Sequence, residues 1–239
     1  MATLAPPILE IVSLVKDYKG LRPLRLSALS VREGERVAVG GIDAVAAEVL
    51  VNLINGAILP DAGQVRVFGE DTANIADADA WLASLERFGI VTPRAVLLLG
   101  ATLLQNLALP FTLEIDAIPE EIRRRVLTIA DHVGLRPEQL ASPAGDAPAD
   151  ARMRVHLARS LARHPRVLLF EHPTVDVTPD AVEPLARDAL RVLDLEGLTA
   201  LVVSNDEVFC DIVAPRRYRL NAATGRLSSV GRLRRWFGA

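Results

Sequence analysis

The sequence predicts an α/β fold, and three observations carry that expectation. Short runs of consecutive apolar residues, Val37-Ala38-Val39, Val167-Leu168-Leu169-Phe170 and Ala200-Leu201-Val202-Val203, alternate with helical segments. That is the pattern of buried parallel strands joined by crossover helices. Half of the residues are hydrophobic while only 4% are aromatic, and the excess of Ala, Val and Leu suits strands covered by helices. Before Val37 the chain changes character: Ile8 to Arg36 reads as short β segments joined by polar turns, so a β unit is expected ahead of the alternating core.

The elements follow in order. Gly40-Gly41 ends the Val37 strand, and Ala44 to Asn55 reads as a helix that is apolar nearly all round, with Gly56 after its end. Pro60-Asp61-Ala62-Gly63 is a turn, and Gln64 to Gly69 alternates polar and apolar residues as a half-buried strand does. Trp81 to Arg87 is expected to be helical and Ile90-Val91 to be a strand. From Arg94 to about Asp150 no strand is needed. Pro119 opens a helix there with Ile122, Val126, Ile129 and Val133 on one face and Gly134 as its stop. The loop Ser142 to Pro148 leads to a helix from Asp150, read as its N-cap, to Arg163, with Val155, Ala158, Leu161 and Ala162 inward. Ala181 to Leu193 is the last predicted helix, and a basic tail carrying Trp236 closes the chain.

Composition removes several function classes. The net charge of −3 offers no global basic field, so no nucleic-acid partner is expected. The single cysteine, Cys210, sits beside Val208 and Phe209 and reads as a buried thiol in a reducing compartment. The most apolar stretch, Ala95 to Phe111, is interrupted by Gly100, Thr102, Gln105, Asn106 and Pro110. It falls short of the roughly 20 residues a membrane span needs, and no transmembrane segment is expected. Met1 to Leu9 lacks the charged start and apolar run of a signal peptide, so a cytoplasmic location is expected, possible contact being peripheral at the inner face of the membrane. The basic residues are almost all arginine, and the only lysines are Lys16 and Lys19.

Several residues then fall into a known order: Tyr18; Gly34-Glu35 ahead of the first core strand; Gly41 opening the loop after it; Pro60-Asp61 with Gly63 and Gly69; Leu157-Ala158-Arg159 with Leu161; Pro165; and Pro173-Thr174. Over roughly residues 8 to 230 this order resembles the ATP-binding domain of ABC transporters. The resemblance implies a P-loop NTPase-like cassette with a mixed core sheet, an N-terminal antiparallel β subdomain and a helical insertion. It implies one domain over residues 1–239, with the core at about 8–93 and 151–230, a helical subdomain at about 94–150 and a short basic tail at 231–239. It further implies ATP with magnesium as ligand, and a membrane permease or a second cassette as partner.

The chemistry that the resemblance leads one to expect is altered at each station. Phosphate loops wrap phosphate with backbone N–H groups and neutralise it with a lysine. Here the segment is Gly41-Ile42-Asp43-Ala44-Val45-Ala46-Ala47-Glu48-Val49, with Ala47 at the lysine position and Glu48-Val49 at the two hydroxyl positions. No lysine follows Lys19, so no change of register restores the cation. Glu48 is placed in the first turn of the helix, where it either stands in for phosphate at the positive end of the dipole or is a solvated polar residue. Pro93 replaces the magnesium-sensing glutamine, and Ala147-Pro148-Ala149-Asp150 replaces the signature that grips a partner's phosphate. Glu171-His172 stands for the Asp-Glu pair after the Val167 strand, Thr178 for a later aspartate and Asn205 for the switch histidine. Glu171 is long enough to approach magnesium through water, His172 is a candidate base or a structural histidine, and Tyr18 is a candidate for stacking on a base. His132, His156 and His164 show no metal-ligand spacing and are expected at the surface.

Three functions are compatible with this pattern. The leading one is a degenerate pseudo-ATPase that docks on a permease or second cassette as scaffold or regulator, with nucleotide binding and hydrolysis weak or lost. The others are a divergent active transport ATPase using Tyr18, Glu171 and His172, and a soluble ABC-like interaction protein.

Overall fold

The computed structural model describes residues 6–231, so the basic tail with Trp236 lies outside the described residues. Two sheets organise it. Strands β1 (Leu9–Lys16), β2 (Leu24–Val31), β4 (Ala62–Val67) and β5 (Glu70–Asp71) form an antiparallel sheet in the order β2-β1-β4-β5. The core sheet has the order β10-β9-β3-β8-β7-β6, from β3 (Arg36–Gly40), β6 (Phe88–Val91), β7 (Val167–Glu171), β8 (Thr199–Val203), β9 (Arg216–Asn221) and β10 (Arg226–Ser229). All its pairings are parallel except β9 with β10, so the sheet is mixed.

The apolar runs become strands because both faces of the core sheet are covered. Val37, Val39, Val167, Leu169, Leu201 and Val203 point into one hydrophobic cluster. Their neighbours Ala38, Leu168, Phe170, Ala200 and Val202 point into the other. The first cluster is roofed by the antiparallel sheet, and helix α1 (Ala44–Ile54) is packed into it. A helix between two sheets must be apolar on every side, which is why α1 carries only Glu48 and Asn52 as polar residues.

The second cluster is covered by helices: α3 (Leu103–Ala108), α4 (Glu120–His132), α5 (Pro137–Leu140), α6 (Ala149–Ser160), α7 (Pro179–Leu195) and α8 (Glu207–Val213). Between β6 and α6 the described residues hold no strand, only an isolated bridge from Thr102 to Pro143. Helix α4 buries Val126 and Ala130 and is followed by Val133 and by Gly134 at φ 78°, as the sequence predicts. Cys210 is buried on α8, and that burial pushes its thiol up to about 12.

Several boundaries differ from the sequence reading. Helix α2 runs Ala78–Leu85 rather than from Trp81, because the Asp77 carboxylate accepts the Ala80 N–H at 2.8 Å and starts the helix earlier. Asp150 is not the cap of α6: Pro148 occupies that position at φ −63° and ψ 156°, and Asp150 lies in the first turn. Its carboxylate is committed instead to Arg154 at 2.6 Å, and that buried guanidinium also reaches Asp188 on α7 at 2.8 Å. Strands β5, β9 and β10 and helix α8 were not anticipated at all.

His156 is also corrected. It is only 6% exposed, because α6 packs on β6, α3, α4 and α7 and has little free surface. Burial, with the nearby Arg159 and Arg152 charges, lowers its pKa from 6.5 to about 4. His164 is exposed as expected, and His132 is half-buried.

The His156 shift fixes a pH dependence. Its folded pKa lies below the unfolded value, so the unfolded chain binds the extra proton between about pH 6.5 and 4. Stability is therefore full above 6.5 and falls towards pH 4, by on the order of 3 kcal/mol from this group. Urea denaturation of wild type and His156→Leu at pH 7 and pH 4.5 checks this: the variant should lose markedly less stability on acidification.

Candidate functional site

The loop between β3 and α1 turns at Gly41, whose φ is 78°. A Cβ there would lie 2.6 Å from the Leu220 carbonyl oxygen, so only glycine fits. Asn205, just beyond β8, clamps this turn with both ends of its amide. Its Oδ1 accepts the Gly41 N–H at 2.7 Å and its Nδ2 donates to the Ile42 carbonyl at 2.9 Å. Asp43 is the N-cap of α1, its carboxylate accepting the Ala46 N–H at 2.8 Å. Ala46, Ala47 and Val49 are buried, whereas Asp43, Ala44 and Val45 are exposed.

This corrects the placement of Glu48. It is the fifth residue of α1 and no acidic residue lies in the first turn, so the carboxylate at the positive end of the helix is that of Asp43. Glu48 faces Arg94, with Arg94 Nη1 donating to its Oε1 at 3.0 Å.

Arg94 is the residue the sequence reading missed. It follows β6 by three positions and pairs side-on with Glu171, Nε to Oε1 and Nη2 to Oε2, both at 2.6 Å. Glu171 ends β7 and is 3% exposed. The hydrogen bonds to Glu171 raise the Arg94 pKa against its partial burial, so the guanidinium stays charged. One signal was available: a carboxylate predicted at the buried end of a strand needs a cation, and the first basic residue after the neighbouring strand is Arg94.

His172 departs from extended geometry at φ 40°, its N–H donating to the Val203 carbonyl at 2.9 Å. Its ring Nε2 is buried with no hydrogen-bond partner among the described residues. Ala147 to Asp150 lie apart from this loop in their bonding. The Ala147 carbonyl accepts from Arg152 at 2.6 Å, and Asp150 belongs to the Arg154 and Asp188 network.

Tyr18 and the loop from Gly41 to Ala46 line one open cleft of about 800 Å³. Burial raises the Tyr18 hydroxyl pKa, and the Asp43 charge adds to the effect. Lys19 and Arg22 from the β1–β2 connection and Arg25 at the start of β2 line the same cleft, a cationic side that was not singled out from the sequence.

The family model described as ABC transporter matches residues 24–175, more than half of the chain. The chain belongs to the ABC transporter family. Methionine import ATP-binding protein MetN of Caulobacter vibrioides is 34% identical over 196 residues, covering 78% of this chain and 57% of that protein. The MetN of Photorhabdus laumondii is 33% identical over 195 residues, with 78% and 55% covered. The ABC chain described here thus spans little more than half the length of these relatives. Among solved structures, cbiO1 from Clostridium perfringens, part of the ABC transporter complex cbiONQ, superposes with a TM-score of 0.77 at 21% identity, over 95% of this chain and 89% of that one. The ATP-binding cassette MJ0796, solved as a dimer bound to ADP and Pi, gives 0.75 at 23% identity, over 93% and 99%. These two establish the ABC cassette fold. No helix among the described residues is long and apolar enough to cross a membrane.

Because Asp43 caps α1, Asp43→Ala should destabilise the fold by about 1 kcal/mol. A lower urea midpoint with an unchanged slope is the expected signature.

Proposed function

We propose that this chain is a cassette subunit whose ligand-binding groups have been turned to internal bonds, and that it serves as a docking or regulatory partner of a membrane permease or second cassette. The observation that carries the reading is the state of the phosphate loop. The Gly41 N–H is taken by Asn205 and the Ala46 N–H by Asp43, so two donors of this loop already have side-chain acceptors. On this reading the residues do not fit a magnesium-bound nucleotide. No lysine follows Lys19, Ala47 is fully buried, and both Glu171 oxygens are engaged by Arg94. His172, whose buried Nε2 has no hydrogen-bond partner among the described residues, is then structural.

The segment after Arg94 supports the docking half. Val96 is 76% and Leu99 61% exposed, and Leu98 lies between them. Arg159 steadies the segment by donating to the Val96 carbonyl at 2.8 Å. The setting is the cytoplasmic face of the membrane, and the names of the MetN relatives make an importer the first system to test.

A second reading, nucleotide binding by an altered site, is favoured by one observation: the cleft beside Tyr18 carries Lys19, Arg22 and Arg25. Their charge would offset the absent lysine.

Calorimetry and thermal unfolding in millimolar magnesium-ATP separate the two. The first reading expects no heat and an unchanged midpoint, whereas a ligand at 100 times its Kd would add about 2.7 kcal/mol. Binding that disappears in Tyr18→Ala and Lys19→Ala would establish the second. Docking is checked by membrane association in cells: Val96→Asp with Leu99→Asp should release the chain to the soluble fraction while leaving its unfolding midpoint in place.

A further inference from the structure

We propose that Arg94 is a resident cation that takes the place of a divalent metal ion at the junction of α1, β6 and β7, making this junction self-contained. The inference deepens the reading above and rests on it in one respect, that the site works without nucleotide-bound magnesium.

The electrostatics of the junction demand a cation. Glu171 is nearly fully buried at the end of β7, and a buried carboxylate without a compensating charge is costly. Glu48 projects from the second turn of α1 towards the same place. Two carboxylates from separate elements therefore converge, and a single guanidinium answers both. Its Nε and Nη2 take the two oxygens of Glu171 and its Nη1 takes one oxygen of Glu48. Three of the four carboxylate oxygens are thus already in charge-assisted hydrogen bonds.

A divalent ion would need those same oxygens at roughly 2.0–2.6 Å, so the ion and Arg94 exclude each other. The fork also does what a bound ion cannot do by itself. Covalently part of the chain, it fixes the exit of β6 to α1 and β7 at all times, and the apolar segment from Val96 to Leu99 begins two residues later. Arg94 is in this sense a positioning residue: it holds the docking segment in a single arrangement without any dissociable ligand.

Metal titration of the full chain, with magnesium or manganese alone and no nucleotide, tests this. Wild type should show no change of unfolding midpoint in millimolar metal and no bound manganese by electron paramagnetic resonance. Arg94→Gln should unfold roughly 6–15 °C lower, as expected for a buried carboxylate deprived of its partner. Manganese should bind to this variant and recover at least half of the loss, and adding Glu48→Gln should abolish that recovery. Arg94→Lys, which keeps the charge and loses the fork, should be intermediate in stability and indifferent to metal.

Metal stabilisation of wild type overturns the proposal, as does an Arg94→Gln variant as insensitive to metal as wild type. Should Arg94→Gln not fold, Arg94→Lys decides: folded and metal-indifferent upholds the resident cation, and failure to fold overturns it. Because nucleotide is absent throughout, a failure here is distinct from a failure of the nucleotide-silent reading, which ATP calorimetry alone addresses.

Discussion

Helix α1 is packed between the core sheet and the antiparallel sheet, so its N-terminus is fixed in space by burial before any ligand is considered. Leu50, Leu53 and Ile54 are fully buried, and the helix cannot tilt or unwind without opening the first hydrophobic cluster. Its first turn must then find acceptors where it stands. In a cassette that holds nucleotide, phosphate is the natural acceptor at such a helix end. In this chain Asp43 supplies the acceptor from within, and Asn205 reaches across from the end of β8 to close the preceding turn. On the proposed reading the same geometric demand is met with side chains in place of a ligand.

The use of arginine follows from the same economy. A lysine is a compact, strongly hydrated point charge, whereas the guanidinium is a planar fork that matches a carboxylate bidentately. A chain with no lysine beyond Lys19 makes such cross-links with forks. Arg94 joins β7 to α1, and the buried Arg154 joins Asp150 on α6 to Asp188 on α7. Arg94–Glu171 and Arg154–Asp188 each tie together elements far apart in sequence. Each converts a charge that burial would otherwise penalise, Glu171 in one and Arg154 in the other, into a cross-link.

What the sequence disclosed and concealed follows from range of interaction. Strands β3, β7 and β8 were legible because burial on both faces leaves a continuous apolar run, and α1 because burial on all sides leaves almost no polar residue. Strand β9 was not, since Arg216, Arg217, Tyr218 and Arg219 offer no apolar run; in the fold Arg216 meets Glu35 and Arg217 meets Asp211. His156 was misplaced because α6 is enclosed by neighbours that its own periodicity does not reveal. At the site, the composition of the loop was fully readable while its bonding was not. Asn205 lies 164 positions from Gly41, and Arg94 lies 77 from Glu171. Local rules placed a carboxylate at the helix start, yet chose Glu48, which is the fifth residue of α1 and lies beyond the first turn, where the cap is Asp43.

A ligand can shift a conformational equilibrium only by its differential affinity for the two states. In the proposed reading a nucleotide entering this loop would first have to displace Asp43 and Asn205 from the donors it needs, and Arg94 from Glu171. Each displaced contact subtracts from whatever the nucleotide gains, and a carboxylate left beside phosphate adds repulsion. The interior is then biased towards one arrangement, and little differential affinity remains for nucleotide to exploit. The exposed apolar segment after Arg94 has no such internal competitor: Val96, Leu98 and Leu99 face solvent. On the proposed reading, free energy for changing the state of this cassette is therefore available at that surface, from a partner that buries it, and not at the loop where the family's chemistry would place it.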